Sequence, residues 1–322
     1  MSADVTGAVV SDKKSRPTFK GRLRSGRYLP LFLLSPTILL LIIVTLFPIV
    51  FGFAVSFTDW KLAMPGVNFV GGENYAEAIF RSHNFRHSVY ITSLFIVLSV
   101  IVSLFIGMIV AILFSQDFVG NKLARAIILL PMMMTPIVVG FNFMVFFSND
   151  YGPVNFVLQK LHLISRPVTW RGEAWPAFFA ILASETWITT PYVILILIAG
   201  INSLPSEPFE ASTVDGANIW QQFWHIMLPL LRGPLMVAVI LRIILATRTF
   251  DTIWLLTGGG PGVFTELLGL HIYRVGLGYG QIGKGNAVAV LSVILNLVFI
   301  AIVLTVILLP GRNTGRTRSK KS

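Results

Sequence analysis

From Leu29 to Thr58 no residue carries a charge. At about 1.5 Å per helical residue, a run of that length exceeds the roughly 30 Å of a bilayer's hydrocarbon layer. Comparable runs cover 88–116, 126–149 and 287–309. Two further runs are interrupted: 175–201 carries Glu185 alone, and 228–255 carries Arg232, Arg242, Arg248 and Asp251. An unsatisfied backbone group in lipid costs several kcal/mol, so uncharged runs of this length must be helices. The expectation is an all-α integral membrane protein with six transmembrane helices. Pro48, Pro131, Pro136 and Pro191 fall inside or near the ends of the spans and predict local kinks.

The composition agrees, with 55% hydrophobic residues, 12% charged residues and a mean hydropathy of +0.78. The absence of cysteine excludes disulfides, thiolate metal sites and a cysteine nucleophile. A net charge of +11 raises the question of nucleic acid, but the basic residues flank the spans. Lys13, Lys14, Arg16, Lys20, Arg22, Arg24 and Arg27 precede the first span; Lys122 and Arg125 separate the second from the third; Arg312, Arg316, Arg318, Lys320 and Lys321 follow the sixth. The positive-inside rule puts these three segments in the cytoplasm, and with six spans both termini lie there. A basic start followed by an apolar run also fits a signal peptide, but the length of the run and the want of a small-residue cleavage site favour a retained span.

Residues 1–27 and 311–322 read as basic cytoplasmic tails, and 28–310 as one six-span domain. The outward loops, about 59–87, 150–174 and 256–286, are too short for an independent folded domain. The inward loop of about 202–229 is different. Ser206 can cap a helix that carries Glu207 and Pro208 in its first turn, and Asp215-Gly216 is a turn signal. From Ala217 the pattern is amphipathic. Trp220, Phe223, Trp224 and Met227 share one face, Asn218, Gln221, Gln222 and His225 the other, and Pro229 ends the segment and starts span five. Periodicity alone fits either an interfacial connector or a docking element.

Glu210-Ala211, Asp215-Gly216-Ala217, Phe223, Ile226 and Leu228-Pro229 resemble, in order and spacing, the EAA-loop motif of ABC importer permeases, departing only at Ser212, where alanine is usual. The stretch from Leu255 to Leu277 is similar to the segment before the last span in the maltose-like, carbohydrate-uptake branch. There Thr257, Gly259, Gly260, Pro261, Thr265, Leu268 and Tyr273 fit, and His271 stands where tyrosine is more usual. The resemblance implies a type I ABC importer permease fold whose helix before Gly216 is a cytoplasmic coupling helix. It also implies that Glu210 meets a basic residue on a cytosolic ATPase. The coupling residues it assigns are Glu210, Ala211, Asp215, Gly216, Ala217, Phe223, Leu228 and Pro229. Implied partners are a second permease subunit, two cytosolic ATPase subunits and an extracytoplasmic solute-binding protein, in a bacterial or archaeal cytoplasmic membrane. ATP and magnesium belong to the partner ATPase, and this chain binds no cofactor and is not an enzyme.

The substrate class implied is a sugar, oligosaccharide or polyol. Intramembrane ionisable groups usually face a bundle interior, and sugars are held by hydrogen-bonding groups and aromatic faces. Glu185 and Arg242 reach similar depth, roughly 20 Å from the cytoplasmic ends, and can pair. With Trp187, Tyr192, Arg248, Phe250, Asp251 and Trp254 they form the candidate substrate pathway. A structural ion pair and solvated mouth residues are the plainer reading of the charged members, and Arg242 also suits an anionic solute such as a sugar phosphate. A gradient-driven secondary transporter is the rival from another class.

GYGQIGKG, residues 278–285, mimics a phosphate-binding loop but has Gly285 where Ser or Thr must follow the lysine, so no nucleotide site is expected. His83 and His87 are four apart without an HExxH frame, so no metal is expected; they, His162, His225 and His271 read as surface or interface residues.

Overall fold

A computed structural model of the chain describes residues 29–116 and 118–308, with side chains over 32–116 and 118–307. The tails at 1–27 and 311–322 lie outside the described residues. The described residues fall into two compact units divided between Ala54 and Val55. Apart from one isolated antiparallel bridge, Thr58 to Phe69, the regular structure described is helical.

The first unit is the first span. Helix α1 (Leu29–Leu41) passes through a π-helical turn, Ile42–Leu46, into α2 (Phe47–Val55). Pro48 has no N–H to give to Val44, and the widened turn, in which Phe47 N donates to Ile42 O, precedes it directly.

In the second unit, α3 (His83–Ser115) and α6 (Ala174–Asn202) are long and apolar enough to cross a membrane, as are Phe32–Val55 and Ile282–Ile307. The helix count reaches six only if two bent pairs are each one span. The expected third span is such a pair: α4 (Asn121–Met133) and α5 (Pro136–Phe146) meet at 96°. Met134 and Thr135 are both extended, the conformation that a following proline imposes on Thr135. Pro131 and Pro191, by contrast, sit inside continuous helices.

The expected fifth span is broken as well. Its core is α9 (Arg232–Thr247), which lies at 70° to the segment Ile219–Leu230 before it and is followed by the short α10 (Asp251–Leu256). The break falls at buried Leu231 and not at Pro229, which sits in a short helix, Leu228–Leu230, where its missing N–H costs nothing. Spans two and six begin five residues before the expected starts, α3 at His83 and α12 at Ile282 (Ile282–Leu308). Ser82 sets the first boundary by accepting from Phe85 N at 3.2 Å, a cap that hydropathy does not register.

The core lies between α3 and α6. Phe95 meets Phe178 edge to face at 6.0 Å, among buried Ile91, Ile96, Ile181 and Ile243. A Cβ on Gly107 would stand 2.7 Å from Val193 Cγ1, so the two backbones approach as closely as a missing side chain allows. Buried Ser99, Ser184 and Thr190 donate to carbonyls of their own turns, at 3.0, 2.8 and 2.6 Å. These three hydroxyls thereby enter the helix interface with their donors paired, whereas buried Ser88 and Thr186 on the same two helices have no hydrogen-bond partner among the described residues.

Candidate functional site

The segment after α6 closes its own backbone. Helix α7 (Glu207–Val214) starts at Ser206, whose carbonyl accepts from Phe209 N at 2.9 Å and Glu210 N at 3.0 Å; the side chain makes no capping bond, contrary to the expected role of Ser206. The helix ends in a Schellman motif: Gly216 N donates to Thr213 O at 3.1 Å and Ala217 N to Ser212 O at 2.9 Å. Gly216 has φ +80°, which a side chain resists.

Asn218 then opens α8 (Ile219–Gln222) with a capping box, accepting from Gln221 N at 2.9 Å and donating to Gln221 Oε1 at 2.8 Å. Gln222 Nε2 donates across the corner to Thr213 Oγ1 at 3.0 Å. A π-helical turn, Phe223–Met227, carries the chain on towards Leu231. Phe223 packs edge to face on Trp220 and Trp224, at 6.4 and 5.2 Å.

Glu210, Ala211, Asp215 and Gly216 are exposed, and Ala217, Phe223, Leu228 and Pro229 are half-buried. Val214, Ile219 and Trp220 are large apolar side chains left open to solvent. Glu210 has no ion-pair partner among the described residues.

A second constellation lies where α6, α9 and α10 converge. Arg242 is fully buried, and its Nη1 stands 3.7 Å from Glu185 Oε1. Its Nε donates to Ser103 Oγ on α3 at 2.9 Å, and Thr190 Oγ1 lies 3.4 Å from the same hydroxyl. Neither Nη1 nor Nη2 of Arg242 has a hydrogen-bond partner among the described residues. Glu185 itself faces a cavity of about 290 Å³, and Thr189, Tyr192, Arg248, Phe250 and Asp251 line the same space.

Five of the eight expected pathway residues therefore share one cavity wall: Glu185, Tyr192, Arg248, Phe250 and Asp251. Arg242 stands behind it. Trp187 is elsewhere, 5.6 Å from Phe143 beside a larger apolar groove of about 1100 Å³. Trp254 lies further along, stacked on Phe250 at 6.1 Å and 5.4 Å from Tyr273. Ser103 and Thr189, two of the polar residues that complete this arrangement, carry no sequence signal beyond being small and hydroxylated.

Between spans five and six, the glycine-rich loop is fixed by hydroxyls. Thr265 Oγ1 donates to Gly260 O at 2.7 Å and sits 2.8 Å from Thr257 Oγ1. Beyond it, buried Glu266 binds the Arg274 guanidinium through Oε2 and meets His271 Nδ1 at 2.6 Å through Oε1. His271, expected at a surface or interface, is buried in α11 (Leu268–Tyr273). Burial pushes its pKa down to about 4. Burial thus keeps the ring neutral, and a neutral ring that meets a carboxylate oxygen through Nδ1 does so as the donor.

Two glycines of GYGQIGKG, Gly283 and Gly285, serve packing. A Cβ on Gly283 would stand 1.9 Å from Thr58 O, and Lys284 pairs with Glu77 at 2.5 Å. Among the described residues no group of three or more potential ligand side chains gathers to hold a metal ion.

A family model described as binding-protein-dependent transport system inner membrane component matches residues 103–311. The trehalose/maltose transport system permease protein MalF of Thermococcus litoralis is 33% identical over 277 residues, covering 85% of this chain and 92% of that protein. The sulfoquinovosyl glycerol transport system permease protein SmoG of Agrobacterium fabrum is 33% identical over 299 residues, covering 92% and 96%. A crystal structure of a bacterial ABC transporter involved in the import of the acidic polysaccharide alginate contains a chain with the same fold. Its TM-score is 0.75 at 21% identity, over 90% of this chain and 97% of that one.

Proposed function

Because the chain belongs to the family of binding-protein-dependent transport system inner membrane components, we propose that it is a permease subunit that carries a sugar, oligosaccharide or polyol across the membrane under the drive of a separate ATPase. The observation that carries the drive is the exposed α7, closed at its C-terminal end by the Gly216 turn, with Glu210 on its surface. A short helix closed at its C-terminal end by a Schellman motif and tied across the corner to the next helix moves with it as a unit, which is what transmission from a partner requires. The family match takes the place of the gradient-driven alternative.

In this reading one of two cytosolic ATPase subunits binds the loop at 202–229, and Glu210 meets a cation on it. A second permease subunit completes the pathway, and an extracytoplasmic binding protein delivers the solute. Closure of the ATPases on ATP moves α7. Because Leu231 hinges the loop segment onto α9, that motion reaches Arg242, Arg248 and the cavity, which alternates between the two faces of the membrane. Both termini and the loop are cytoplasmic.

The cavity supports the carbohydrate assignment. Tyr192, Thr189 and the carboxylates of Glu185 and Asp251 offer donors and acceptors around Phe250, and Arg248 offsets one of the two negative charges. Its named relatives handle sugars.

Reconstitution tests both parts. The chain, co-purified with its partners in nanodiscs, is expected to hydrolyse ATP faster when its binding protein is loaded with a saccharide. Glu210→Lys is expected to assemble in the membrane but to lose that stimulation. Purification without any ATPase bound would sink the reading.

A further inference from the structure

A second hollow, of about 370 Å³, opens beyond the Glu185 cavity and is lined by Trp254, Gly258, Tyr273, Arg274 and Gly278. Its two aromatic walls, Trp254 and Tyr273, stand 5.4 Å apart at 71°, a near-perpendicular cleft. Both rings keep substantial exposure, 48% for Trp254 and 37% for Tyr273. Gly258 and Gly278 bring bare backbone to the rim, and nothing lies closer than 3.8 Å to a Cβ built on either.

The polar side is held rigidly. Arg274 binds Glu266 through Nη1 and donates from Nη2 to Gly258 O at 2.9 Å. A guanidinium has five N–H donors, so donors remain for a ligand. The Glu266 carboxylate is buried against it, and the charge of the pair cancels. Such a wall suits an uncharged, hydroxyl-rich ring better than an anion.

The hollow is also connected to the cavity. Phe250 lines the Glu185 cavity and stacks on Trp254 at 6.1 Å with 14° between the ring planes, and it meets Tyr273 at 5.2 Å. A continuous aromatic surface thus runs from one space to the other.

We infer that Trp254, Tyr273 and Arg274 form an outer subsite that holds one neutral sugar ring by stacking and by guanidinium hydrogen bonds, and passes it along Phe250 to the Glu185 cavity. The inference rests on the carbohydrate reading above. Trp and Tyr join a broad apolar ring face to a polar edge, which suits a transfer site that must hold a sugar ring and also release it.

Photolabelling separates the two claims. The nanodisc complex, without binding protein, is exposed to diazirine-bearing trehalose and diazirine-bearing sorbitol, and labelled positions are read by mass spectrometry. The expected pattern is label at 254–258 and 273–278 as well as at 185–192 and 248–251, removed by excess unlabelled trehalose or sorbitol. In Trp254→Ala the outer label falls at least about fivefold while the inner label persists, which also reports a folded protein; Trp254→Phe retains most of it. Label at 185–192 and 248–251 alone overturns the outer subsite and leaves the carbohydrate reading standing. Outer label unchanged in Trp254→Ala overturns the stacking role. Label at neither place overturns the carbohydrate reading and the subsite with it.

Discussion

Arg242 and Glu185 are joined across the α6–α9 interface by a 3.7 Å ion pair whose arginine is wholly buried and whose carboxylate reaches a cavity wall. Two charges taken out of water recover their desolvation cost only through each other and through nearby dipoles, and here the Ser103 hydroxyl is the single hydrogen-bond partner of the guanidinium among the described residues.

Arg242→Met therefore strands Glu185 as a buried unpaired carboxylate and is expected to cost about 3–5 kcal/mol of stability. Adding Glu185→Leu is expected to restore most of that loss while leaving the cavity without its carboxylate. Thermal unfolding of the two purified variants in the same detergent checks this. A double variant no more stable than the single would show that the pair is not what holds the interface.

Gly216→Val forces a branched side chain into a left-handed conformation costing about 1–2 kcal/mol. No neighbour blocks the new atoms, since nothing lies within 4 Å of a Cβ at this position. The penalty is thus conformational and local to the end of α7. Membrane assembly should stay at the wild-type level while saccharide-stimulated ATP hydrolysis falls about tenfold, each measured on the same nanodisc preparation.

His271 gives a pH signature. Its folded pKa, about 4, lies below the ordinary value near 6.5. The unfolded chain takes up this proton first, so the stability linked to the neutral ring is present above pH 6.5 and declines as pH falls towards 4. Melting temperature should drop across that window, and His271→Gln should flatten the slope. An identical slope in the variant would assign the acid sensitivity to other groups.

Gly283→Ala places a methyl against Thr58 O and should displace the start of α12, costing about 1–3 kcal/mol. Lys284→Met removes only a half-exposed pair with Glu77, worth about 1 kcal/mol or less. Melting temperatures ranked in that order, with ATP-dependent uptake retained in Lys284→Met, would fit a packing role for the P-loop-like glycines.

The apolar spans were legible because a missing charge over 29–58 or 287–309 leaves few physical alternatives. The bend at Leu231 was not, since hydropathy is a property of composition and a break depends on the dihedrals of one or two residues. Pro136 marked its break, whereas Pro131 and Pro191, equally visible in the sequence, sit in continuous helices held by their packing. Equal depth brought Glu185 and Arg242 into pairing range, but Ser103 could not be singled out within a long apolar run. His271 was misplaced because its partners Glu266 and Arg274 read as ordinary loop charges until α11 folds them around one carboxylate.

The Schellman closure at Gly216 and the capping box at Asn218 have a consequence for the loop between spans four and five. A corner that satisfies its own helix ends asks little of the scaffold that carries it. Residues 206–222 should thus behave as an exchangeable cassette, so that grafting the equivalent stretch from another permease redirects the choice of motor without disturbing the cargo the pore accepts.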